Sequence, residues 1–260
     1  MDTQLRNKVA VVTGASRGIG LAIAEALSRE GAHVIAGARQ PGERLAELER
    51  VLPVAVDLAT EDGPARLVDT ATAEFGGIDV LVNNVGAFEA RTAGFAEVSD
   101  ADWQRTFEIN LFSAVRAIRA ALPSLVERRG AIVNVSSINA RVPQPPVVDY
   151  AAAKAALTNL SRTLAEELGP QGVRVNTVSP GPTRTPAWEA ADGFGATLAE
   201  AAGTSVEQFL ADFPTAAGLS TDRMSEPEEV AAVVVLLASG AARNVNGSDY
   251  VVDGGQAKAA

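Results

Sequence analysis

The sequence has no cysteine and a single histidine. Without cysteine there is no disulfide, no thiolate nucleophile and no sulfur ligand for a metal. His33 alone cannot form a histidine cluster for zinc, and a serine–histidine–acid triad would have to use it. It lies between Gly31-Ala32 and Val34-Ile35, at the start of an expected strand, where a structural role is expected. No metal site is expected, and proton chemistry falls to tyrosine, lysine, aspartate or glutamate. An unbroken run of eighteen apolar residues is also lacking, so no membrane span is expected. Met1 to Lys8 is polar and lacks the order of a signal peptide, so the expected location is cytoplasmic. The net charge of -10 repels phosphate backbones and argues against nucleic acid as a partner.

The composition is that of a globular chain with a full core: 260 residues, 47% hydrophobic and 21% charged. Short valine-rich runs recur at Val9–Thr13, Val34–Ala36, Pro53–Val56, Val80–Val82, Ala131–Val135, Val173–Val178 and Asp249–Val252. Helical patterns lie between them, at Leu21–Arg29, Gly63–Phe75, Trp103–Arg128, Ala151–Leu168 and Pro227–Ser239. Continuously apolar strands alternating with helices predict an α/β fold whose mostly parallel sheet is covered on both faces. No repeat or linker divides the chain, so one domain over residues 1–260 is expected.

The first strand runs into Thr13-Gly14-Ala15-Ser16-Arg17-Gly18-Ile19-Gly20. Glycines between a strand and a helix permit a tight turn and close backbone approach to a pyrophosphate at the helix N-terminus. The second strand ends at Gly37-Ala38-Arg39, without the acidic residue that grips ribose hydroxyls. Arg17 and Arg39 can instead converge on a 2′-phosphate, which favours NADP(H) over NAD(H). Asp57-Leu58 ends the third strand, and Asp57 suits either an adenine contact or a turn. Asn83-Asn84-Val85-Gly86 ends the fourth. Asn110 interrupts an apolar helix face, as a satisfied buried amide or as the mark of a bent helix offering a carbonyl. Ser137 follows the fifth strand. Tyr150 and Lys154, four apart, stand one turn apart on one helix face, where the ammonium is expected to favour the phenolate.

Thr13-Gly14-x-x-x-Gly18-Ile19-Gly20, Asn83-Asn84-x-Gly86, Asn110, Ser137, Tyr150-x-x-x-Lys154 and Pro180-Gly181 occur in this order. Together they resemble the short-chain dehydrogenase/reductase family, from about Leu5 to Gly255. The resemblance implies a Rossmann-type, doubly wound sheet of seven strands. It implies a catalytic set of Asn110, Ser137, Tyr150 and Lys154, with Ser137 preferred to Ser136 for its spacing from Tyr150. On the cofactor it implies Thr13, Gly14, Ser16, Arg17, Gly18, Ile19, Gly20, Arg39, Asp57, Leu58, Asn83, Gly86, Tyr150, Lys154, Pro180, Gly181, Thr183 and Thr185. Val85 departs from the family's usual alanine.

The implied activity is NADP(H)-dependent hydride transfer between nicotinamide and a carbonyl or secondary alcohol, with 3-oxoacyl-carrier-protein and carbonyl reductases as the nearest types. An acyl-carrier-protein thioester is thus among the implied partners. The alternative is a catalytically silent, dinucleotide-sensing regulator, although such relatives usually lose the tyrosine or lysine. A substrate lid is expected at about 185–224, with Trp188, Phe194, Phe209 and Phe213 among its apolar positions. Small residues on the helices 103–128 and 151–168 fit the family's homotetramer.

Overall fold

The computed structural model describes Asp2 to Lys258, so Met1, Ala259 and Ala260 at the ends of the expected domain lie outside the described residues. The strands are β1 (Val9–Thr13), β2 (His33–Ala38), β3 (Val51–Ala55), β4 (Val80–Asn83), β5 (Ala131–Val135), β6 (Arg174–Pro180) and β7 (Asp249–Val252). The helices are α1 (Gly18–Arg29), α2 (Glu43–Ala46), α3 (Gly63–Phe75), α4 (Asp100–Phe107), α5 (Ser113–Arg128), α6 (Val148–Leu168), α7 (Pro186–Glu189), α8 (Phe194–Ala201), α9 (Val206–Ala216) and α10 (Pro227–Ala238).

The seven strands form one sheet in the order β3-β2-β1-β4-β5-β6-β7, and every pairing is parallel. The central strands are largely apolar on both sides because each side meets helices. Val12, Val34 and Val133 join one core with Ile23 and Leu27 of α1 and Val230 and Val234 of α10. Val11, Ile35 and Ile132 join the other with Leu67 of α3, Leu125 of α5 and Leu168 of α6. Neighbouring residues of one strand thus feed opposite cores, as the period of two requires. The strand order reverses between β1 and β4, and a crevice opens there beyond the carboxyl ends of the strands.

The segment 185–224, expected as a lid, holds three helices, α7 to α9. One expectation changes here. The pattern Trp103–Arg128 belongs to a longer helical run, Asp100–Arg128, which is long and apolar enough to cross a membrane. Polar residues such as Asn110 and Arg116 break its apolar runs, so no unbroken apolar stretch marks it in the sequence. Its Ala117, Ile118, Ala121 and Leu125 are buried in the core. The run contains a π turn at Glu108–Phe112, between α4 and α5. His33 is structural: its ring stacks on Phe75 at 4.8 Å and its Nε2 lies 3.1 Å from Arg50.

Candidate active site

A cleft of about 1530 Å³ runs from the loop after β1 to helices α7–α9. At one end lie Ser16, Arg17, Gly18, Ile19 and Gly20, with Arg39 and Leu58 beside them. Helix α1 begins there with no side-chain cap and no acidic residue in its first turn. Its N-terminal N–H groups and positive dipole end therefore remain available to an anion. The loop is tightly built. Gly14 has φ +69°, and a Cβ on Gly20 would lie 2.1 Å from the Gly14 carbonyl oxygen. Arg17 and Arg39 are exposed and form no ion pair among the described residues.

Four expected site residues do not line the cleft. The Thr13 hydroxyl accepts hydrogen bonds from the N–H groups of Asn84 and Val85, each 3.0 Å, and so ties β1 to the loop after β4. Asp57 forms a turn, accepting the Ala59 N–H at 3.0 Å through its carboxylate. Asn83 points into the sheet and donates to Asn134 at 2.8 Å. Asn84 is the asparagine that borders the cleft, donating to the carbonyls of Thr13 and Gly14, each 3.0 Å. Asn110 is buried in the π turn. It donates to Ala87 O at 2.7 Å and Thr106 O at 2.9 Å, and accepts the Ala87 N–H at 3.2 Å. The satisfied amide and the distorted helix are thus both present.

The centre of the cleft joins β5 to α6. Ser137 starts a short helical turn, accepting the Asn139 N–H at 3.1 Å, and it lines the cleft together with Tyr150. Ser136 is engaged elsewhere, with its hydroxyl on Lys154 O at 3.1 Å and Thr158 at 2.7 Å. Lys154 is only 2% exposed. Its ammonium donates to Val135 O at 2.9 Å, and it stands 5.7 Å from the Tyr150 ring centroid. Lysine has three donors, so the buried ammonium retains capacity for further acceptors. A Cβ on Gly86 would fall 2.9 Å from the Asn110 amide oxygen and 3.3 Å from Lys154 Nζ, so Gly86 keeps that space open.

The expected lowering of the phenol by Lys154 is not seen. Burial pushes Tyr150 up to about 12, against the opposing hydrogen bond of Ser137. Burial pushes Lys154 down to about 8. The ammonium is directed at the Val135 carbonyl, and desolvation outweighs its attraction for the phenolate.

The sequence reading missed two groups of residues. Asp149, beside the tyrosine, is buried and accepts from Arg91 at 2.6 Å and Thr106 at 2.8 Å. Arg91 also reaches Glu89 at 3.0 Å and Asp102 at 3.5 Å. Burial alone would raise the Asp149 carboxyl, but hydrogen bonds from Arg91, Thr106 and the Tyr150 N–H outweigh it and hold it low. Phe88 was also missed; its ring centroid lies 5.2 Å from that of Tyr150. Pro180, Gly181, Thr183 and Thr185 line the cleft where expected, with Thr183 donating to Gly181 O at 3.0 Å. Val85 packs beside Gly14 at the cleft wall.

A parallel sheet with an uncapped helix at its switch point, and a serine–tyrosine–lysine group in the same cleft, define a dinucleotide-type oxidoreductase site. The enoyl-(acyl carrier protein) reductase family model matches residues 14–257. The chain belongs to the short-chain dehydrogenase/reductase family of oxidoreductases. It is 38% identical over 267 residues to the uncharacterized oxidoreductase YvrD of Bacillus subtilis, with 98% of each chain covered. It is 34% identical to 3beta-hydroxysteroid dehydrogenase 1 of Eggerthella lenta, covering 98% of this chain and 95% of that one. The structure of L-sorbose reductase from Gluconobacter frateurii, complexed with NADPH and L-sorbose, superposes with a TM-score of 0.91 at 38% identity and full coverage of both chains.

Proposed function

We propose that the protein is an NADP(H)-dependent oxidoreductase acting on a carbonyl or secondary alcohol, with Ser137, Tyr150, Lys154 and Asn110 as its working set. The observation that carries this reading is the convergence of Ser137 and Tyr150 in one cleft beside a buried Lys154 with unpaired donors, 5.7 Å from the Tyr150 ring. The residues present fit a dinucleotide. The α1 N-terminus and Arg17 would hold phosphates, Arg39 the 2′-phosphate, Leu58 and Asn84 the adenosine side, and Pro180 to Thr185 the nicotinamide side. When bound, the nicotinamide supplies or accepts the hydride. Ser137 orients the carbonyl oxygen by a hydrogen bond. Tyr150, which keeps its proton at neutral pH, delivers that proton to the oxygen as negative charge develops there. Lys154 would hold the ribose hydroxyls, and the π turn at Asn110 would offer a backbone carbonyl to a water connecting Lys154 with solvent.

NADPH in the sorbose reductase complex supports the cofactor class, and the unpaired Arg17 and Arg39 support its phosphorylated form. The segment 185–224 acts as the lid over the substrate. The reading includes a cytoplasmic homotetramer; exposed large side chains such as Phe95, Phe112 and Tyr250 support the assembly. The decisive test is Tyr150→Phe in an NADPH-oxidation assay against a ketone panel. Turnover should fall about a thousand-fold while NADPH binding is retained. Unchanged turnover refutes the mechanism.

A further inference from the structure

The two ends of the cleft differ in how their cations are used. Four arginines line it: Arg17, Arg39, Arg91 and Arg105. The first two carry no carboxylate partner among the described residues. At the other end Arg91 is held by Asp149, Glu89 and Asp102, and Arg105 by Asp102. Glu89 and Glu108 also border the cleft. Two further arginines, next in sequence to cleft-lining segments, are occupied as well. Arg141 is on Asp249 at 2.8 Å, and Arg184 is on Glu189 at 2.7 Å. Lys154 lies behind the tyrosine, against Val135 O and Gly86. Among the described residues, Lys154 aside, no cation lining the substrate side is left to neutralise a carboxylate or phosphate. Lys258, outside the lining, is held on Gly218 O, Ser220 and Gly255 O. A buried charge without a partner is costly.

The wall above Tyr150 is aromatic. Ring centroids run from Tyr150 to Phe88 at 5.2 Å, Phe88 to Phe194 at 5.0 Å, Phe194 to Trp188 at 5.1 Å and Trp188 to Phe213 at 4.8 Å. These rings come from the loop after β4 and from α7, α8 and α9, so four separate segments converge. They line the cleft and are only partly buried, which leaves ring surface facing the space beside Tyr150. Such a wall offers large apolar contact and almost no hydrogen-bonding partners. A polyol would lose its hydration against this wall and find replacement only in polar side chains elsewhere in the lining, such as Asn139, Gln144 and Gln256.

The geometry points to a neutral, ring-bearing ketone, or the matching secondary alcohol, as the substrate class. This rests on the reading of Tyr150 as the proton donor. Binding and turnover are therefore measured separately, with 4-tert-butylcyclohexanone, 4-oxocyclohexanecarboxylate and L-sorbose. The first two are the same cyclic ketone, bearing an apolar group or a carboxylate at one position.

The chain has two tryptophans, Trp103 and Trp188. Trp103 packs between Phe95 and Phe107, away from the cleft lining. In Trp103→Phe, fluorescence reports on Trp188 alone, and it is titrated with each ketone in saturating NADP+. Saturable quenching by the tert-butyl ketone is expected, with kcat/KM at least 100-fold above the other two. Phe194→Ala should lower kcat/KM for the tert-butyl ketone about ten-fold and leave the KM for NADPH unchanged. Preference for the carboxylate or for sorbose overturns the substrate class and leaves the proposed activity standing. Saturable quenching by the tert-butyl ketone alone, without turnover of any ketone, supports the class and refutes the activity. Neither quenching nor turnover overturns both.

Discussion

Lys154 gives the sharpest test of how the site is built. An ammonium at 2% exposure whose pKa falls from 10.5 to about 8 is charged at neutral pH against the preference of its surroundings. At about 1.4 kcal/mol per unit, the cost of holding that charge in the folded protein is about 3 kcal/mol. Replacing Lys154 with methionine keeps most of the stem volume and removes the charge. It also leaves Val135 O without its 2.9 Å donor, which costs about 1 kcal/mol or slightly more. The net expectation is a gain of about 2 kcal/mol, or a Tm about 4–8 °C higher at pH 7, together with loss of turnover.

The sign with pH follows from the depressed value. Below about pH 8 the folded lysine is charged and the full penalty applies. Between the folded and unfolded values the unfolded chain binds more protons, so the wild type gains stability as pH rises. The advantage of Lys154→Met should therefore shrink from pH 8 toward pH 10. Differential scanning calorimetry of both proteins at pH 7 and pH 9.5 measures it. A variant less stable at pH 7, or a difference independent of pH, refutes the buried-charge argument.

Arg39→Ala should lower kcat/KM for NADPH about 10- to 100-fold and leave that for NADH nearly unchanged, as steady-state kinetics with both cofactors will show. Gly20→Ala would place a methyl 2.1 Å from Gly14 O and 2.4 Å from the Asn84 amide nitrogen. The loop must then shift, and NADPH affinity measured by fluorescence titration should fall at least ten-fold. Asp149→Asn should cost about 3 kcal/mol, read from urea unfolding at neutral pH. Because the native carboxyl is held low, the wild type loses this contribution only as pH falls below the ordinary carboxylate value, so the gap between the two proteins should close in acid.

The order of strands and helices was legible because the central strands are largely apolar on both sides and the intervening helices carry their own periodicity. The loop after β1, Ser137, Tyr150 and Lys154 were legible because they are local motifs with fixed spacing. Asn83 and Asn84 were harder to tell apart. They differ only in which side of a strand end each faces, and one residue of register decides that. Thr13 and Asp57 carry polar groups suited to a ligand, but the backbone of neighbouring loops claims them first. The Arg91–Asp149 pair is separated by 58 residues and has no periodic signal. Phe88 became visible only when α7 and α8 closed against the loop that carries it.

The π turn at Glu108–Phe112 also has a consequence for how this chain tolerates change in length. It holds one residue more than an ordinary turn, so side-chain directions after it lag those before it by about 100°. That offset lets one continuous helix serve two neighbours: α4 faces α6, where Thr106 reaches Asp149, and α5 faces α3 and the sheet. Deleting any one residue between Glu108 and Phe112 would restore ideal helix geometry and improve the local hydrogen bonding. It would also rotate α4 away from α6 or α5 out of the core. This stretch should therefore reject single-residue deletions that its helical appearance would seem to permit.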